Sequence, residues 1–257
     1  MLHASGFRMP SPGVPSLVVP SLLIDVGGLR YRYPDGTLAL DGVDFQLHTG
    51  ECVALLGANG SGKTTFALHL NGLLNASEGR VTVFGVELSS KTSAADLNQV
   101  RAKVGLVFQD ADEQLFLPTV LEDVAFGPAN LGFAPEDARH KAIRALRQVG
   151  LESVRDKAPY HLSAGEKRRA ALAGVLAMEP DVLVLDEPTT SLDPPGHRDL
   201  VHLLHGLPQA KLLVTHDIDF ACALATRAVF FERGKVAGVG PARDVVERFG
   251  WKRNGAP

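Results

Sequence analysis

The residues best placed to do chemistry early in this chain are residues 57–64, which follow the pattern G-x-x-x-x-G-K-T. Glycines let successive backbone N–H groups turn towards a single anion. Lys63 would supply an ammonium for the β- and γ-phosphates of a nucleotide, and the Thr64 hydroxyl would supply a ligand for Mg²⁺. An apolar run at 52–56 and a helical run at 65–70 provide the strand–loop–helix context of a phosphate-binding loop. The expected nucleotide contacts in this loop are Gly57, Asn59, Gly60, Ser61, Gly62, Lys63, Thr64 and Thr65.

Two adjacent carboxylates, Asp186 and Glu187, follow the apolar run 182–185. A carboxylate at the end of a buried strand, beside a phosphate loop, is suited to anchor Mg²⁺ directly or through water. The alternative for Asp186 is a helix cap. Glu187 is placed to orient a water molecule and accept its proton during phosphoryl transfer. Its alternative is an ordinary solvated glutamate.

Gln109 and His216 also follow strand-like runs. The amide of Gln109 can bond both a Mg²⁺-bound water and an attacking water, although a lone glutamine is usually a surface residue. The neutral imidazole of His216 could reach a γ-phosphate and hold Glu187, or it could simply be satisfied by backbone groups. Because ligands collect beyond the carboxyl ends of parallel strands, these side chains are expected at one edge of a sheet.

The segment Ser163-Ala164-Gly165-Glu166 opens a predicted helix. Ser163 followed by Glu166 has the spacing of a capping box, which explains the segment locally. A serine hydroxyl and a glycine N–H at a helix start also form an anion site. The cations at 167–169 lie on the first turn, where the helix dipole disfavours them. That placement indicates a nearby anion or partner surface.

The elements that must position these residues alternate between strands and helices, which predicts an α/β fold with a mainly parallel sheet. Residues 22–33 and 37–47 alternate apolar and polar side chains around a Pro-Asp-Gly turn, so they predict a hairpin in an antiparallel layer. Tyr33 ends the first of these strands. It could stack on an adenine ring or be an ordinary strand tyrosine. The middle of the chain, with an amphipathic pattern at 135–149, predicts a helical insert.

Composition limits the remaining possibilities. The 257 residues suit one large domain or two small ones, and 45% hydrophobic content supports a substantial core. A net charge of −3 does not indicate the excess of positive charge that is typical of nucleic-acid-binding domains. The two cysteines are expected to be buried, reduced thiols.

The longest apolar stretch, 170–178, is too short to span a membrane. Residues 1–21 are rich in proline and predict a disordered extension without the pattern of a signal peptide.

Taken in order, these motifs resemble those of the ATP-binding-cassette (ABC) ATPases, over about residues 22–245. Residues 57–64 resemble the Walker A loop, Gln109 the Q-loop, 162–166 the signature, 182–187 Walker B, 191–193 the D-loop and His216 the switch histidine. The resemblance implies a P-loop NTPase core of RecA type, within an ABC domain at 22–257 that has a helical subdomain at about 113–175.

The resemblance also implies how the site works. In this family two cassettes meet head to tail, and each ATP lies between one loop and the other subunit's signature helix. Ser163 and Gly165 would therefore act on the partner's nucleotide, and Asp193 would line the same interface. Tyr33 would stack on adenine and Glu187 would be the base, with Lys63, Gln109 and His216 assisting it. Thr64, Gln109 and Asp186 would hold Mg²⁺.

Within the family, residues 109–116, 123–128 and 162–169 look like the ATPase subunits of energy-coupling factor transporters, with cobalt and nickel importers nearest. The implied partners are a second cassette, identical or paralogous, a transmembrane coupling subunit and a substrate-binding membrane subunit. The implied location is the cytoplasmic face of the membrane. The chain departs from the family in having Ala164 for the usual glycine, Glu166 for glutamine and Ala111 where proline is frequent.

Other functions fit the sequence less well. A kinase or GTPase would share only the phosphate loop, and no Asn-Lys-x-Asp stretch is present to read guanine. A soluble cassette protein of DNA repair or translation is the main alternative. Such proteins usually carry two cassettes or a long coiled-coil insertion, whereas the interval between Gln109 and Ser163 holds only a compact insert. A binding module without hydrolysis would be expected to lack Glu187 or His216.

Overall fold

The computed structural model describes residues 20–190 and 192–250. The expected disordered extension therefore lies, up to residue 19, outside the described residues. The strands are β1 (Leu22–Arg32), β2 (Leu38–His48), β3 (Cys52–Leu56), β4 (Glu78–Val83), β5 (Val86–Glu87), β6 (Val104–Val107), β7 (Val182–Asp186), β8 (Ala210–Val214), β9 (Arg227–Glu232) and β10 (Lys235–Pro241). The helices are α1 (Lys63–His69), α2 (Ala94–Lys103), α3 (Val120–Asn130), α4 (Pro135–Gln148), α5 (Ala164–Leu176), α6 (Pro194–His205), α7 (Ile218–Leu224) and α8 (Ala242–Arg248).

The strands form two sheets of different character. One has the order β2-β1-β4-β5, and its paired neighbours are antiparallel. The other has the order β10-β9-β3-β8-β7-β6 and is parallel except for the edge strand β10. The predicted hairpin and the mainly parallel sheet are both present. The α/β fold expected from the sequence is confirmed.

Helix α1 lies in the hydrophobic core that joins the two sheets. Phe66 is completely buried, with its ring centroid 5.2 Å from that of Phe45 and 5.5 Å from that of Phe231. Phe45 belongs to the antiparallel sheet and Phe231 to the parallel one. Because α1 begins directly after the phosphate loop, this packing fixes the loop relative to both sheets.

Between β6 and β7 the chain is helical. Helix α3 begins at a capping box of Thr119 and Glu122, and α5 begins at one of Ser163 and Glu166, as their i, i+3 spacing predicts. A second core packs α3, α4 and α5 together and against the parallel sheet. The limits expected for the whole domain (22–257) and for its helical subdomain (about 113–175) stay predictions.

The cysteines differ from expectation. Both were expected to be buried, but Cys52 and Cys222 are only partly buried, and no disulfide joins them. Burial still raises the pKa of the Cys52 thiol to about 11, with Lys211 opposing the effect. Within residues 20–190 and 192–250, no helix has both the length and the apolar character needed to cross a bilayer.

Candidate functional site

The phosphate loop connects the buried strand β3 to α1, and two of its glycines are required by geometry. Gly57 has φ 143° and Gly62 has φ 105°, in the region that side chains disfavour. A Cβ on Gly57 would lie 2.3 Å from the Phe231 carbonyl oxygen, and one on Gly62 would lie 2.6 Å from that of Ala39. The loop is therefore pressed closely against β9 and β2.

Lys63 is nearly buried within this loop, with 6% of its surface exposed. Its Nζ donates to the carbonyl oxygens of Gly57 at 2.7 Å and Ala58 at 3.1 Å. Burial lowers the pKa of Lys63, and the charges of Glu187 and Asp186 oppose that shift. The ammonium thus lies in the field of both carboxylates at the end of β7.

Asp186 ends β7 and is 4% exposed. Burial raises its pKa, while a hydrogen bond to the Thr64 side chain lowers it. Its Oδ1 is buried and has no hydrogen-bond partner in the described part of the chain. The Thr64 hydroxyl and the Asp186 carboxylate, one oxygen of which is unpaired, match the oxygen ligands that Mg²⁺ prefers. The residues present therefore fit this ion.

Glu187 and His216 form a pair at the ends of neighbouring strands. His216 Nδ1 lies 2.8 Å from Glu187 Oε2, with Glu187 buried and the His216 side chain half exposed. The backbone of Glu187 has φ 45°, which is unusual for a residue with a side chain. Its N–H donates to the Val214 carbonyl at 2.8 Å, which fixes this turn to β8.

A cleft of about 430 Å³ brings most of the expected site residues together. Its lining includes Tyr33, Asn59, Gly60, Gly62, Lys63, Thr64, Thr65, Gln109, Glu187 and His216. The Tyr33 hydroxyl lies 3.0 Å from Thr65 Oγ1, so the tyrosine is attached to the first turn of α1. A second cleft of about 510 Å³ adjoins it, and Thr64, Gln109 and Asp186 line its wall.

The residues expected at the interface with a partner cassette, Ser163, Gly165 and Asp193, do not line the loop cleft. Gly57 and Ser61 of the loop itself are also missing from its lining, and Asp186 lines the adjoining cleft instead. Ser163 and Asp193 are exposed, and each accepts a backbone N–H as the N-cap of its own helix, α5 and α6 respectively. Gly165 is partly buried. Ser163 and Asp193 thus lie at the surface of the described chain, and none of the three residues lines its loop cleft.

Comparison with known protein families matches residues 40–190, more than half of the chain, to the description "ABC transporter". The chain belongs to this family. It is an ABC ATPase. In its structure the phosphate loop follows β3, Asp186 and Glu187 lie at the end of β7, and His216 follows β8, so these groups meet at the ends of three neighbouring strands.

Individual relatives of this ABC ATPase support the same assignment. It is 44% identical over 226 residues to the energy-coupling factor transporter ATP-binding protein EcfA of Methanocaldococcus jannaschii, covering 87% of this chain and 80% of the relative. It resembles the solved structure of cbiO1 from Clostridium perfringens, part of the ABC transporter complex cbiONQ, with 37% identity, TM-score 0.78 and coverage of 89% and 92%. A dimeric ATP-binding cassette bound to ADP and Pi has 27% identity, TM-score 0.78 and coverage of 86% and 99%.

Sequence reasoning missed two contributors to this ABC ATPase site. The Gln114 side chain accepts from the Phe108 N–H at 3.0 Å and donates to the Leu106 carbonyl at 3.3 Å, which folds the segment after β6 back onto its strand. Arg168 bonds backbone groups near both Gln109 and Glu187. Its only sequence signal was the prediction that cations at 167–169 lie on the first turn of a helix, where the dipole disfavours them. That prediction is correct only for Lys167, because α5 begins at Ala164 and Arg168 is therefore on its second turn.

Proposed function

We propose that this ABC ATPase powers the import of a small solute, a cobalt or nickel ion or a vitamin, through an energy-coupling factor type transporter. The observation that carries the hydrolytic part is the Glu187–His216 pair, with its 2.8 Å contact, in the same cleft as Lys63. A buried carboxylate held by an imidazole beside a phosphate loop is suited to activate water.

The proposed mechanism assigns one task to each group. The loop N–H groups and Lys63 bind the β- and γ-phosphates of ATP, and the Tyr33 ring lies beneath the adenine. Thr64 and Asp186, with the help of Gln109, would hold Mg²⁺, which would supply positive charge against the charge that develops on the phosphate. Glu187 accepts the proton of the attacking water. His216 fixes the orientation of Glu187 and contacts the γ-phosphate.

A second cassette completes the site in this proposal. Support comes from the exposure of Ser163 and Asp193, and from their absence among the residues that line the loop cleft. A similar solved cassette is dimeric and was found with ADP and Pi. The signature helix α5 of one copy would contribute Ser163 and Gly165 to the ATP of the other. A second copy of this chain is the simplest partner, and a paralogous cassette is the alternative.

Coupling to a membrane subunit would use an apolar groove of about 480 Å³ between the segment after β6 and helices α3 and α5. Two of its aromatic side chains are strongly exposed, Phe116 at 61% and Phe126 at 43%, and their ring centroids are 5.2 Å apart. Exposed paired aromatics in a groove are typical of interaction sites. The proposed partners are a transmembrane coupling subunit and, through it, a substrate-binding subunit at the cytoplasmic face of the membrane.

The transport assignment is tested by replacing Phe116 with alanine in the complex with its membrane subunits, reconstituted in vesicles. We expect ATP-driven uptake of labelled cobalt or nickel to fall while basal ATPase activity survives. Phe133→Ala is the control, because Phe133 is also an exposed phenylalanine, at 41%, but does not line the groove. Normal uptake by the Phe116→Ala complex would remove the docking assignment. Absence of ATP-driven uptake by the wild-type complex would favour an ATPase not coupled to transport.

A further inference from the structure

Arg168 lies at the start of the second turn of α5, five residues after the N-cap Ser163, and only 7% of its surface is exposed. Its Nη1 donates to the Gln109 carbonyl at 2.7 Å, and its Nη2 donates to the Thr190 carbonyl at 3.0 Å. These acceptors are 59 and 22 residues away in sequence. One guanidinium therefore joins the signature helix to two separate loops of the site.

The position of Arg168 is electrostatically unfavourable for a cation, so the interactions of its guanidinium must offset that cost. Burial lowers its pKa, and Arg168 is close to the N-terminal end of α5, where the helix dipole is weakly unfavourable to a cation. The hydrogen bonds described for it end on neutral carbonyls, while Asp110 and Glu187 attract it at longer range and raise its pKa. The neighbouring Lys167 adds a second link, with its Nζ 2.6 Å from Asp112 Oδ1.

Both loops that Arg168 holds carry residues of the hydrolytic site. Gln109 lines the loop cleft and the adjoining cleft. Thr190 belongs to the turn that begins at Glu187, because its N–H donates to the Glu187 carbonyl at 3.2 Å. The planar fork of a guanidinium can satisfy two carbonyls in a fixed geometry, which a lysine ammonium does not reproduce. The distance between Gln109 and the Glu187 turn is therefore set through Arg168.

We infer that Arg168 is a positioning residue for ATP hydrolysis: it holds the Gln109 and Glu187 segments and the signature helix as one unit. Arg168 lines the adjoining cleft but not the loop cleft, and both of its described hydrogen bonds end on carbonyls of these segments, so we assign its action to the segments rather than to the nucleotide. The inference rests on the proposed roles of Gln109 and Glu187. It adds a physical route by which the segment carrying Phe116 is connected to the groups that hydrolyse ATP.

The first test is hydrogen–deuterium exchange of the full chain without nucleotide, comparing Arg168→Lys with the wild type. Loss of the fork should speed exchange by roughly tenfold in residues 108–114 and 187–190, through local opening. Protection elsewhere, in β3 and α1, should be unchanged. Arg144→Ala is the control, because Arg144 is an arginine of the same helical region that is 61% exposed and paired with Glu179. Unchanged exchange in both loops, or an equal rise throughout the chain, would overturn the inference.

The second test is kinetic. In Arg168→Lys, kcat for ATP hydrolysis should fall roughly 10- to 100-fold, the effect of misplaced catalytic groups, whereas KM for ATP should change less than about threefold. In Arg168→Ala, millimolar guanidinium should restore part of kcat, and tetramethylammonium at equal ionic strength should not. A folded Arg168→Lys protein with wild-type kcat, or equal effects of the two cations, would contradict the inference. Because the exchange test needs no hydrolysis, it reports on Arg168 even if the roles proposed for Glu187 are wrong.

Discussion

Glu187 combines three features that rarely occur in one residue: a positive φ, a buried carboxylate and a contact with a half-exposed histidine. A non-glycine residue with such a backbone costs about 1–3 kcal/mol and persists where surrounding structure holds it. Here the Val214 carbonyl accepts its N–H, and His216 holds its side chain. The strained turn directs the carboxylate into the cleft that Lys63 also lines.

Replacing Glu187 with glutamine keeps the size of the side chain and removes its basicity. Steady-state ATP turnover should fall by roughly 10²–10⁴, the usual contribution of a general base. ATP binding, measured by equilibrium titration with a fluorescent analogue, should persist. Glu136→Gln, at an exposed position on α4, is the control for loss of one carboxylate. Unchanged turnover would remove Glu187 from the role of base.

The Cys52 thiol provides a prediction at the same scale. Because burial raises its pKa from 9.0 to about 11, the folded protein holds this thiol protonated at pH 8. In the Cys222→Ser variant, labelling by a maleimide at pH 8 should be about 100-fold slower when folded than when denatured, since only the thiolate reacts. Because the pKa is higher in the folded state than in the unfolded state, the protonated Cys52 thiol contributes to the free energy of unfolding. This contribution is complete below pH 9.0 and is lost as pH rises towards about 11. Equal labelling rates would show that Cys52 is not shielded.

At the scale of elements, α3 holds the groove in shape through its first turn. Asp123 Oδ1 accepts the N–H groups of Phe116 at 3.0 Å and Leu117 at 2.9 Å, which fixes the segment carrying Phe116. Its other oxygen, Oδ2, is buried without a partner in the described part of the chain. Burial raises the pKa of Asp123 above its usual 3.8, despite these two hydrogen bonds.

The Asp123→Asn variant tests whether burial of the carboxylate outweighs its two hydrogen bonds. The asparagine side-chain oxygen can still accept both N–H groups, but it carries no charge. With a folded pKa above 3.8, the wild-type carboxyl contributes stability at low pH that is lost as pH rises through the folded pKa. Asparagine does not titrate. The melting temperature of Asp123→Asn relative to wild type should therefore increase from about pH 4 to about pH 7. A constant or decreasing difference, in melts followed by circular dichroism, would contradict the assigned burial cost.

Elements governed by local signals could be predicted from the sequence, and contacts between distant segments could not. The capping boxes of α3 and α5 depend on residues three positions apart, and the β1–β2 hairpin depends on its own alternation and turn. The bonds from Arg168 to Gln109 and Thr190 join segments that meet only when the sheet is assembled. The exposure of Ser163 likewise depends on the direction in which α5 leaves the core.

For the whole molecule, the fold places the phosphate loop between two sheets and leaves the signature helix start at the surface. Ser163, Gly165 and Asp193 do not line the cleft that holds Lys63 and Glu187. The central claim of the proposed function is that a second copy brings these residues to that cleft. Hydrolysis would then depend on two chains, each supplying half of every site.

Mixing two inactive variants tests this claim most directly. Lys63→Ala disables the loop, and Gly165→Asp disables the signature without distorting the helix, because a Cβ there meets its nearest neighbour at an ordinary 3.7 Å. Each variant alone should be inactive. A 1:1 mixture should recover about a quarter of wild-type ATPase activity, since half of a two-fold symmetric population is mixed and each mixed dimer holds one intact site. An inactive mixture of the two folded variants would contradict the account.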